Sequence, residues 1–186
     1  MNYFGNGSRF GVNIEYAVDK PGYEGTAGCL LNVYNQGLID EKEFLVYYGD
    51  ILSNINLRNL INYHKEKEAI ATVAMALGYK IRVGTARLNE NGKILNFIEK
   101  PELEKPVSIG VLALNEVVLE VIEGLRESKR KGEIDLMGDV LPKLIELGHP
   151  VYGYITRDFW YDVGSVERYE KLSNQTIDKL LGFIID

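Results

Sequence analysis

Short apolar runs rich in Val, Ile and Tyr alternate along this chain with stretches of helical periodicity, and this alternation constrains its fold more than any other feature. Strand-like runs that alternate with helices are typical of α/β proteins. The predicted strands are residues 12–18, 44–48, 69–77, 82–88, 93–99, 107–114, 151–155 and 159–161. The predicted helices are residues 26–36, 57–67, 116–127, 135–147 and 166–172. The sequence therefore predicts an α/β fold.

Length and charge limit the classes of protein to which this chain can belong. It has 186 residues, of which 46% are hydrophobic. A chain of this size can bury one sizeable core, so we expect a single domain over residues 1–186. The net charge is -6 at pH 7. Because nucleic-acid binding depends largely on clustered Lys and Arg side chains, we expect no nucleic-acid partner.

Three features of the sequence concern the cellular compartment. Cys29 is the only cysteine, so the chain forms no internal disulfide, which fits a reducing compartment. No apolar stretch approaches the ~20 residues that span a bilayer. The polar residues 1–9 do not resemble a signal peptide. We therefore expect a cytoplasmic protein with no membrane partner.

Two carboxylates stand where predicted strands end. Asp50 follows the apolar run 44–48, and Asp162 follows the run 159–161. Ligands bind beyond the ends of strands in open α/β sheets, and Mg²⁺ prefers carboxylate oxygens when it also holds substrate phosphates. The pattern favours a metal and phosphate site. The alternative is that each Asp only caps the turn or helix that follows it.

The remaining polar and apolar signals favour no second site. His64 and His149 have no nearby Cys or His at metal-ligand spacing, and we expect both at the surface. The basic stretch 128–132 is expected to be a solvated loop or helix end, and the alternative is that it steers phosphates towards the site. The apolar tail 180–185 is expected to pack on the domain or on a partner, and the alternative is that a C-terminal domain has been lost.

Five short motifs follow one another along the chain. They are residues 3–11 (YFGNGSRFG), 25–28 (GTAG), 48–50 (YGD), 99–101 (EKP) and 160–164 (WYDVG). Their order and rough spacing resemble those of the sugar-1-phosphate nucleotidyltransferases, the nucleotide-sugar pyrophosphorylases, and in particular mannose-1-phosphate guanylyltransferases. The resemblance extends over nearly the whole chain.

The resemblance implies a reaction and a set of residues that serve it. In the family, a sugar 1-phosphate oxygen attacks the α-phosphate of a nucleoside triphosphate, which gives a nucleotide-sugar and pyrophosphate. By resemblance, Asp50 and Asp162 hold Mg²⁺, and these two residues and Lys100 are the catalytic set. Glu99 would accept hydrogen bonds from sugar hydroxyls, and Lys100 would bind the phosphate. The alternative for Glu99 and Lys100 is an exposed ion pair before Pro101 that contributes little.

The resemblance implies substrate contacts at five further positions. Gly84 and Gly110 would let the backbone approach the sugar, although glycine in a strand is also typical of a bulge. Ser108 stands where the family usually has Asn, two positions before Gly110. Gly25 and Thr26 resemble the loop that contacts the nucleobase, and they favour guanylyl transfer. The alternative for these two residues is an ordinary helix start.

The sequence also departs from the family pattern. It lacks the first strand, the Gly-rich loop with its Arg, and the Lys-Pro segment, which together hold the triphosphate. The resemblance therefore implies a Rossmann-like, mostly parallel sheet flanked by helices, with the first strands and helix of the nucleotidyltransferase fold absent. A fragment, one half of a split gene and a degenerate family member all fit this pattern.

Two functional interpretations remain open. The first is an enzyme that is active only when another chain supplies the missing phosphate loop. The second is a catalytically silent sugar- or nucleotide-binding regulatory subunit.

The missing strand would leave an unpaired edge and exposed apolar surface beside residues 44–48. We therefore expect a homo-oligomer or a complex with a complementing N-terminal chain.

Overall fold

The computed structural model of the protein describes residues 3–129 and 132–181. Contacts within this part divide the chain into two compact units that alternate along the sequence. Unit 1 is formed by the described residues of Met1–Phe44, Glu68–Ala71 and Leu114–Val151. Unit 2 is formed by the described residues of Leu45–Lys67, Thr72–Ala113 and Tyr152–Asp186.

Strands and helices alternate along most of the described chain. The strands are β1 (Glu43–Tyr47), β2 (Ile51–Ser53), β3 (Ala71–Ala76), β4 (Thr85–Leu88), β5 (Ile94–Ile98), β6 (Val107–Asn115), β7 (Val151–Thr156) and β8 (Trp160–Asp162). The α-helices are α1 (Gly25–Asn35), α2 (Leu57–Glu66), α3 (Val117–Lys129), α4 (Leu141–Glu146), α5 (Val166–Glu170) and α6 (Asn174–Leu181). Ser8–Phe10 is a 3₁₀-helix, and Leu136–Val140 is π-helical. The predicted α/β fold is confirmed.

A four-stranded sheet with the order β1-β6-β3-β7 carries the core of unit 2. The central strands β6 and β3 are mainly apolar without polar alternation, as expected for strands that are covered on both faces. Ile109, Val111 and Ala113 alternate along β6 and form one buried cluster with Ala74 of β3 and Leu60 of α2. Because this cluster is buried, it holds together the sheet from which the loops of unit 2 extend.

Strand β1 lies at the edge of this sheet and has β6 as its neighbour in the described strand order. Residues 43–46 are half-buried, and Tyr47 is exposed. The described strands therefore include the sheet edge that the sequence led us to expect beside residues 44–48.

The antiparallel pair β2–β8 aligns the two segments that carry the predicted metal ligands. Ile51 lies opposite Asp162 in the strand register. Beyond the strand ends, the Val163 N–H donates to the Asp50 carbonyl oxygen at 2.8 Å. This register holds the backbones of Asp50 and Asp162 side by side.

The hairpin β4–β5 is the one predicted from the turn sequence 89–92. The Asn89 side-chain oxygen accepts hydrogen bonds from the N–H groups of Asn91 and Lys93, at 3.1 and 2.9 Å. Gly92 has a φ of 79°, which glycine adopts without steric cost. The turn therefore forms for the reason that the sequence indicated.

The predicted strand at residues 12–18 is wrong, because the structure has no strand there. The N–H groups of Val12 and Ile14 donate to the carbonyl oxygens of Gly7 and Asn6, at 3.3 and 2.8 Å. These local turns use backbone donors that a neighbouring strand would need. The apolar side chains remain largely in solvent, and Val12 is 54% exposed.

The expected surface position of His64 is also wrong. Its side chain is 1% exposed, and its Nδ1 atom lies 2.9 Å from the Thr72 hydroxyl oxygen. Leu57, Leu60 and His64 follow the spacing of three and four residues that places side chains on one face of a helix. The helical spacing of these residues, rather than the polarity of the His64 side chain, indicated that His64 is buried. His149 is half-buried.

Three short elements were not predicted, namely the 3₁₀-helix Ser8–Phe10, strand β2 and helix α6. The expectations for the basic stretch 128–132 and the tail 180–185 fall largely outside the described residues. Within the described ranges, no helix combines the length and the apolar character needed to cross a membrane.

Candidate functional site

The carboxylates of Asp50 and Asp162 converge on Gly164 in unit 2. A Cβ atom placed on Gly164 would lie 2.7 Å from Asp50 Oδ2 and 3.0 Å from Asp162 Oδ1. A larger residue at this position would therefore have to displace the ends of these two side chains. The structure brings together the two acidic residues that the sequence singled out.

Asp162 has partners for both of its carboxylate oxygens. Oδ1 accepts a hydrogen bond from the Gly164 N–H at 2.8 Å, and Oδ2 accepts one from the Arg168 guanidinium. The Gly164 hydrogen bond, together with Arg168, holds the pKa of the Asp162 carboxyl below its usual value. Asp162 therefore caps the turn that follows β8, which is the structural role given above as the alternative to metal binding. The N-cap of α5 is Ser165.

The pair of carboxylates fits a divalent cation that is shared with a phosphate substrate. Mg²⁺ is usually bound by one or two carboxylates while water and substrate phosphates complete its coordination. Asp50 is exposed and Asp162 is half-buried, so the space beside them is open to such ligands. Among the described residues, no group of three or more His, Cys, Asp and Glu side chains is arranged to hold a metal ion. The two carboxylates could supply part of the coordination of such a cation, and water and a phosphate group could supply the rest.

Glu99 and Lys100 lie at the base of the hairpin and point into solvent. Their charged groups are 4.0 Å apart, and both side chains are more than 60% exposed. Lys100 has a φ of 47°, a left-handed conformation that is costly for a residue with a Cβ atom. Glu68 has the same φ, so the conformation alone does not distinguish a functional residue from a structural one.

The three remaining predicted positions in unit 2 are Gly84, Ser108 and Gly110. Gly84 precedes β4 of the hairpin, and Ser108 and Gly110 belong to β6. A Cβ atom on Gly84 would lie 2.4 Å from the Phe97 ring and 2.9 Å from Glu99 Oε2, so Gly84 and Glu99 are neighbours. Gly110 is buried in β6 with a φ of 73°. Its N–H donates to the Ser108 hydroxyl at 3.3 Å.

Gly110 also fixes the segment that leads to Asp50. Its carbonyl oxygen accepts the Tyr48 N–H at 2.9 Å. A Cβ atom at this position would meet Ile51 at 3.0 Å and Tyr48 at 3.3 Å. The positive φ and these close neighbours give Gly110 a structural reason to be glycine that needs no ligand.

Gly25 and Thr26 belong to unit 1. Gly25 has a φ of 84°, and a Cβ atom there would lie 2.5 Å from the Ile134 carbonyl oxygen. The Thr26 hydroxyl donates to Asp135 Oδ2 at 2.9 Å and accepts the Leu136 N–H at 2.8 Å. Both residues therefore join the start of α1 to the segment around residue 135, which is the structural role that an ordinary helix start would need.

Arg168 is the residue beside the site that the sequence analysis missed. It stands six positions after Asp162, on α5, and its guanidinium binds Asp162 Oδ2. The charge of Arg82 also lowers the pKa of Asp162, although less than the nearer groups do. Neither arginine belongs to a sequence motif. A turn and a hairpin bring them towards the carboxylate, so only the folded structure reveals their position.

The sequence of the chain matches the family described as "Nucleotidyl transferase" over residues 1–179. It is 33% identical over 184 residues to UTP–glucose-1-phosphate uridylyltransferase from Synechocystis sp., covering 90% of this chain and 46% of that protein. It is 31% identical to glucose-1-phosphate adenylyltransferase from Desulfitobacterium hafniense, covering 84% of this chain and 42% of that protein. It is 28% identical to mannose-1-phosphate guanylyltransferase from Mycobacterium tuberculosis, covering 89% and 45%. The chain thus spans less than half the length of these curated relatives.

Solved structures have a similar fold. A Bacillus anthracis protein described as a glucose-1-phosphate thymidylyltransferase superposes with a TM-score of 0.71 at 21% identity, covering 95% of this chain and 70% of the other. HddC from Yersinia pseudotuberculosis superposes with a TM-score of 0.56 at 18% identity, covering 89% and 70%. The fold agrees with the match of the sequence over residues 1–179. The chain therefore belongs to the nucleotidyl transferase family.

Proposed function

We propose that the chain carries the metal and sugar-phosphate site of an enzyme that transfers a nucleoside monophosphate from a nucleoside triphosphate to a sugar 1-phosphate. The observation that carries this proposal is the convergence of Asp50 and Asp162 on Gly164. The relatives named for uridylyl, adenylyl and guanylyl transfer to sugar 1-phosphates support the class of reaction.

The proposed roles follow from the chemistry of the side chains. Asp50 and Asp162 hold Mg²⁺, which when bound neutralises and orients phosphate oxygens. Lys100 places its ammonium on the phosphate of the sugar 1-phosphate, and Glu99 accepts hydrogen bonds from sugar hydroxyls. A phosphate oxygen of the sugar 1-phosphate attacks the α-phosphorus, the bond to the β-phosphate oxygen breaks, and pyrophosphate leaves with the bonding electron pair. The residues of the chain serve this step by positioning and by neutralising charge.

The backbone around the hairpin and β6 completes the proposed sugar site. Gly84 lies against Glu99, so a sugar held by the Glu99 carboxylate also lies near the Gly84 backbone. Ser108 and Gly110 are proposed to contact the sugar from β6. The Ser108 hydroxyl already accepts the Gly110 N–H, so its O–H donor and its second lone pair are left for a sugar hydroxyl.

Gly25 and Thr26 are proposed to contact the nucleobase, and guanine is the proposed base. The support is the resemblance of residues 25–28 to the base loop of guanylyltransferases. Because the Thr26 hydroxyl is bonded to Asp135 and Leu136, the proposed contacts use backbone groups at the start of α1. The relatives transfer different bases by name, so a comparison of four nucleoside triphosphates tests this choice.

We also place another polypeptide strand beside β1, from a second copy of the chain or from a complementing chain. The support is the edge position of β1 and its half-buried apolar residues Phe44, Leu45 and Val46. Exposed strand edges pair readily with a further strand. Sedimentation of the pure chain should show an oligomer, or a heteromer when a partner is co-expressed. A monodisperse monomer that folds cooperatively alone would contradict this assignment.

Pyrophosphate release tests the proposed reaction. The chain, alone and with any co-purified partner, is incubated with Mg²⁺ and pairs of nucleoside triphosphates and sugar 1-phosphates. Turnover is expected to fall by at least about 100-fold in Asp50→Asn and Asp162→Asn. Asp40→Asn, which removes an exposed carboxylate of unit 1, is the matched control and should keep full activity.

The assay also decides between the two functional interpretations. Pyrophosphate release that is unchanged in Asp162→Asn would refute the metal site. Calorimetric binding of a sugar 1-phosphate without pyrophosphate release under any condition would instead support a silent binding subunit.

A further inference from the structure

The guanidinium of Arg168 occupies the side of Asp162 that faces α5. It binds Asp162 Oδ2, while Oδ1 accepts the Gly164 N–H. The side chains of Arg168 and Asp162 are 37% and 35% exposed, so water screens the pair only in part. The positive charge of Arg168 thus already neutralises the carboxylate that is proposed to bind a cation.

A divalent cation and Arg168 would therefore compete for the same carboxylate. A carboxylate can accept several partners, but two positive groups on one carboxylate repel each other. The Asp50 carboxylate, which approaches the same face of Gly164 as Asp162 Oδ1, adds the second negative charge. Whether Asp162 binds the Arg168 guanidinium or the divalent cation depends on which of the two lies nearer to its carboxylate.

The backbone of α5 has its own anchors, which leave the guanidinium free to move. The Arg168 N–H donates to the Ser165 hydroxyl at 3.3 Å, and the Arg168 carbonyl oxygen accepts the Tyr161 hydroxyl at 3.1 Å. Both bonds involve only backbone atoms of Arg168. The side chain can leave Asp162 while the helix stays in place.

We propose that Arg168 is a positioning residue that stands in for the metal: its guanidinium holds Asp162 in place in the metal-free protein and is displaced when a divalent cation binds. The inference rests on the proposed metal site at Asp50 and Asp162 and deepens it. Because Arg168 competes with the cation, the metal binds weakly alone and more tightly when substrate phosphates add their negative charge. Arg168 thereby favours loading of the metal together with the substrate.

The test measures Mn²⁺ binding to the full chain by electron paramagnetic resonance, without substrate. Arg168→Gln removes the competing charge and should lower the Mn²⁺ dissociation constant at least about tenfold, which corresponds to about 1.4 kcal/mol. Lys171→Gln is the matched control, since Lys171 pairs with Glu167 on the same segment and does not contact Asp162. Its Mn²⁺ affinity should stay within about twofold of the wild type.

A second measurement keeps the proposal testable even if Arg168→Gln folds poorly. In the wild-type protein, the NMR signal of the Arg168 side-chain Nε–H should shift towards the position of a solvated arginine as Mg²⁺ is added. The same titration of Asp162→Asn should leave the signal unchanged. A wild-type signal that does not respond to Mg²⁺ at saturation overturns the proposal.

The outcomes separate this inference from the proposed metal site. If Asp50→Asn and Asp162→Asn weaken Mn²⁺ binding but Arg168→Gln leaves it unchanged or weaker, the metal site stands and the role of Arg168 is refuted. If neither Asp substitution changes Mn²⁺ binding, the metal site itself is refuted, and the proposal for Arg168 with it.

Discussion

The left-handed backbone of Lys100 leads to a prediction that separates stability from function. Lys100 and Glu68 are the non-glycine residues with positive φ in the described chain, and both have a φ of 47°. This conformation costs a residue with a Cβ atom roughly 1–2 kcal/mol. Glycine adopts it without strain but loses roughly 0.5–1 kcal/mol more conformational entropy on folding. Replacing either residue by glycine should therefore stabilise the fold by about 0.5–1 kcal/mol.

The two substitutions should differ in their effect on ligand binding. Glu68 follows the Lys67 C-cap of α2, a position where glycine is commonly found. Glu68→Gly should raise the melting temperature by about 1–4 °C and leave sugar 1-phosphate binding unchanged. Lys100→Gly should give a similar rise and weaken binding at least about tenfold, because it removes a charge-assisted hydrogen bond to the phosphate.

Urea unfolding and calorimetric titration with a sugar 1-phosphate measure the two effects separately. Lys100→Ala is the second control: it lacks the ammonium but keeps the strained backbone, so it should lose binding without gaining stability. A Lys100→Gly protein that is less stable than the wild type would refute the reasoning about strain. Unchanged binding in both Lys100 variants would refute the role of the ammonium.

Two further predictions concern the turn after β8. Gly164→Ala places a methyl group 2.7 Å from Asp50 Oδ2, so the Asp50 carboxylate must shift and the Mn²⁺ affinity should fall. The control Gly124→Ala, with open space around it in α3, should leave the Mn²⁺ affinity unchanged and stabilise the fold by up to about 1 kcal/mol in urea unfolding. The lowered pKa of Asp162 means that its charged form stabilises the fold above its ordinary pKa of 3.8, and that this contribution is lost as the pH falls through the lower folded-state pKa. Asp162→Asn should therefore be less stable than the wild type at pH 7, and the difference should shrink below pH 3.8; a difference independent of pH would contradict this.

The sequence predicted those parts of the fold that depend on local patterns. The hairpin β4–β5 followed from Asn89 and Gly92, because turn chemistry is set by the residues in the turn. The central strand β6 followed from a mainly apolar run without polar alternation. Where apolar residues alternated with polar ones, at residues 12–18, the pattern failed, since alternation does not say whether a partner strand is present.

The candidate site was predictable in its acidic residues and not in its basic ones. Asp50 and Asp162 end apolar runs, and the position of ligands at strand ends is a general property of α/β folds. The contact of Arg168 with Asp162 depends on the turn at Gly164 and the start of α5, which no local pattern specifies. The burial of His64 against Thr72 likewise depends on where α2 packs on the sheet.

The proposed function depends most on Asp50 and Asp162 sharing one divalent cation. Crystals of the protein grown or soaked with Mn²⁺ and a sugar 1-phosphate would test this by anomalous diffraction. We predict one anomalous peak near Gly164, with a carboxylate oxygen from each of the two residues within about 2.3 Å of the ion. A peak bound by only one of these carboxylates, or a fully loaded crystal whose only peaks lie elsewhere, would contradict the account.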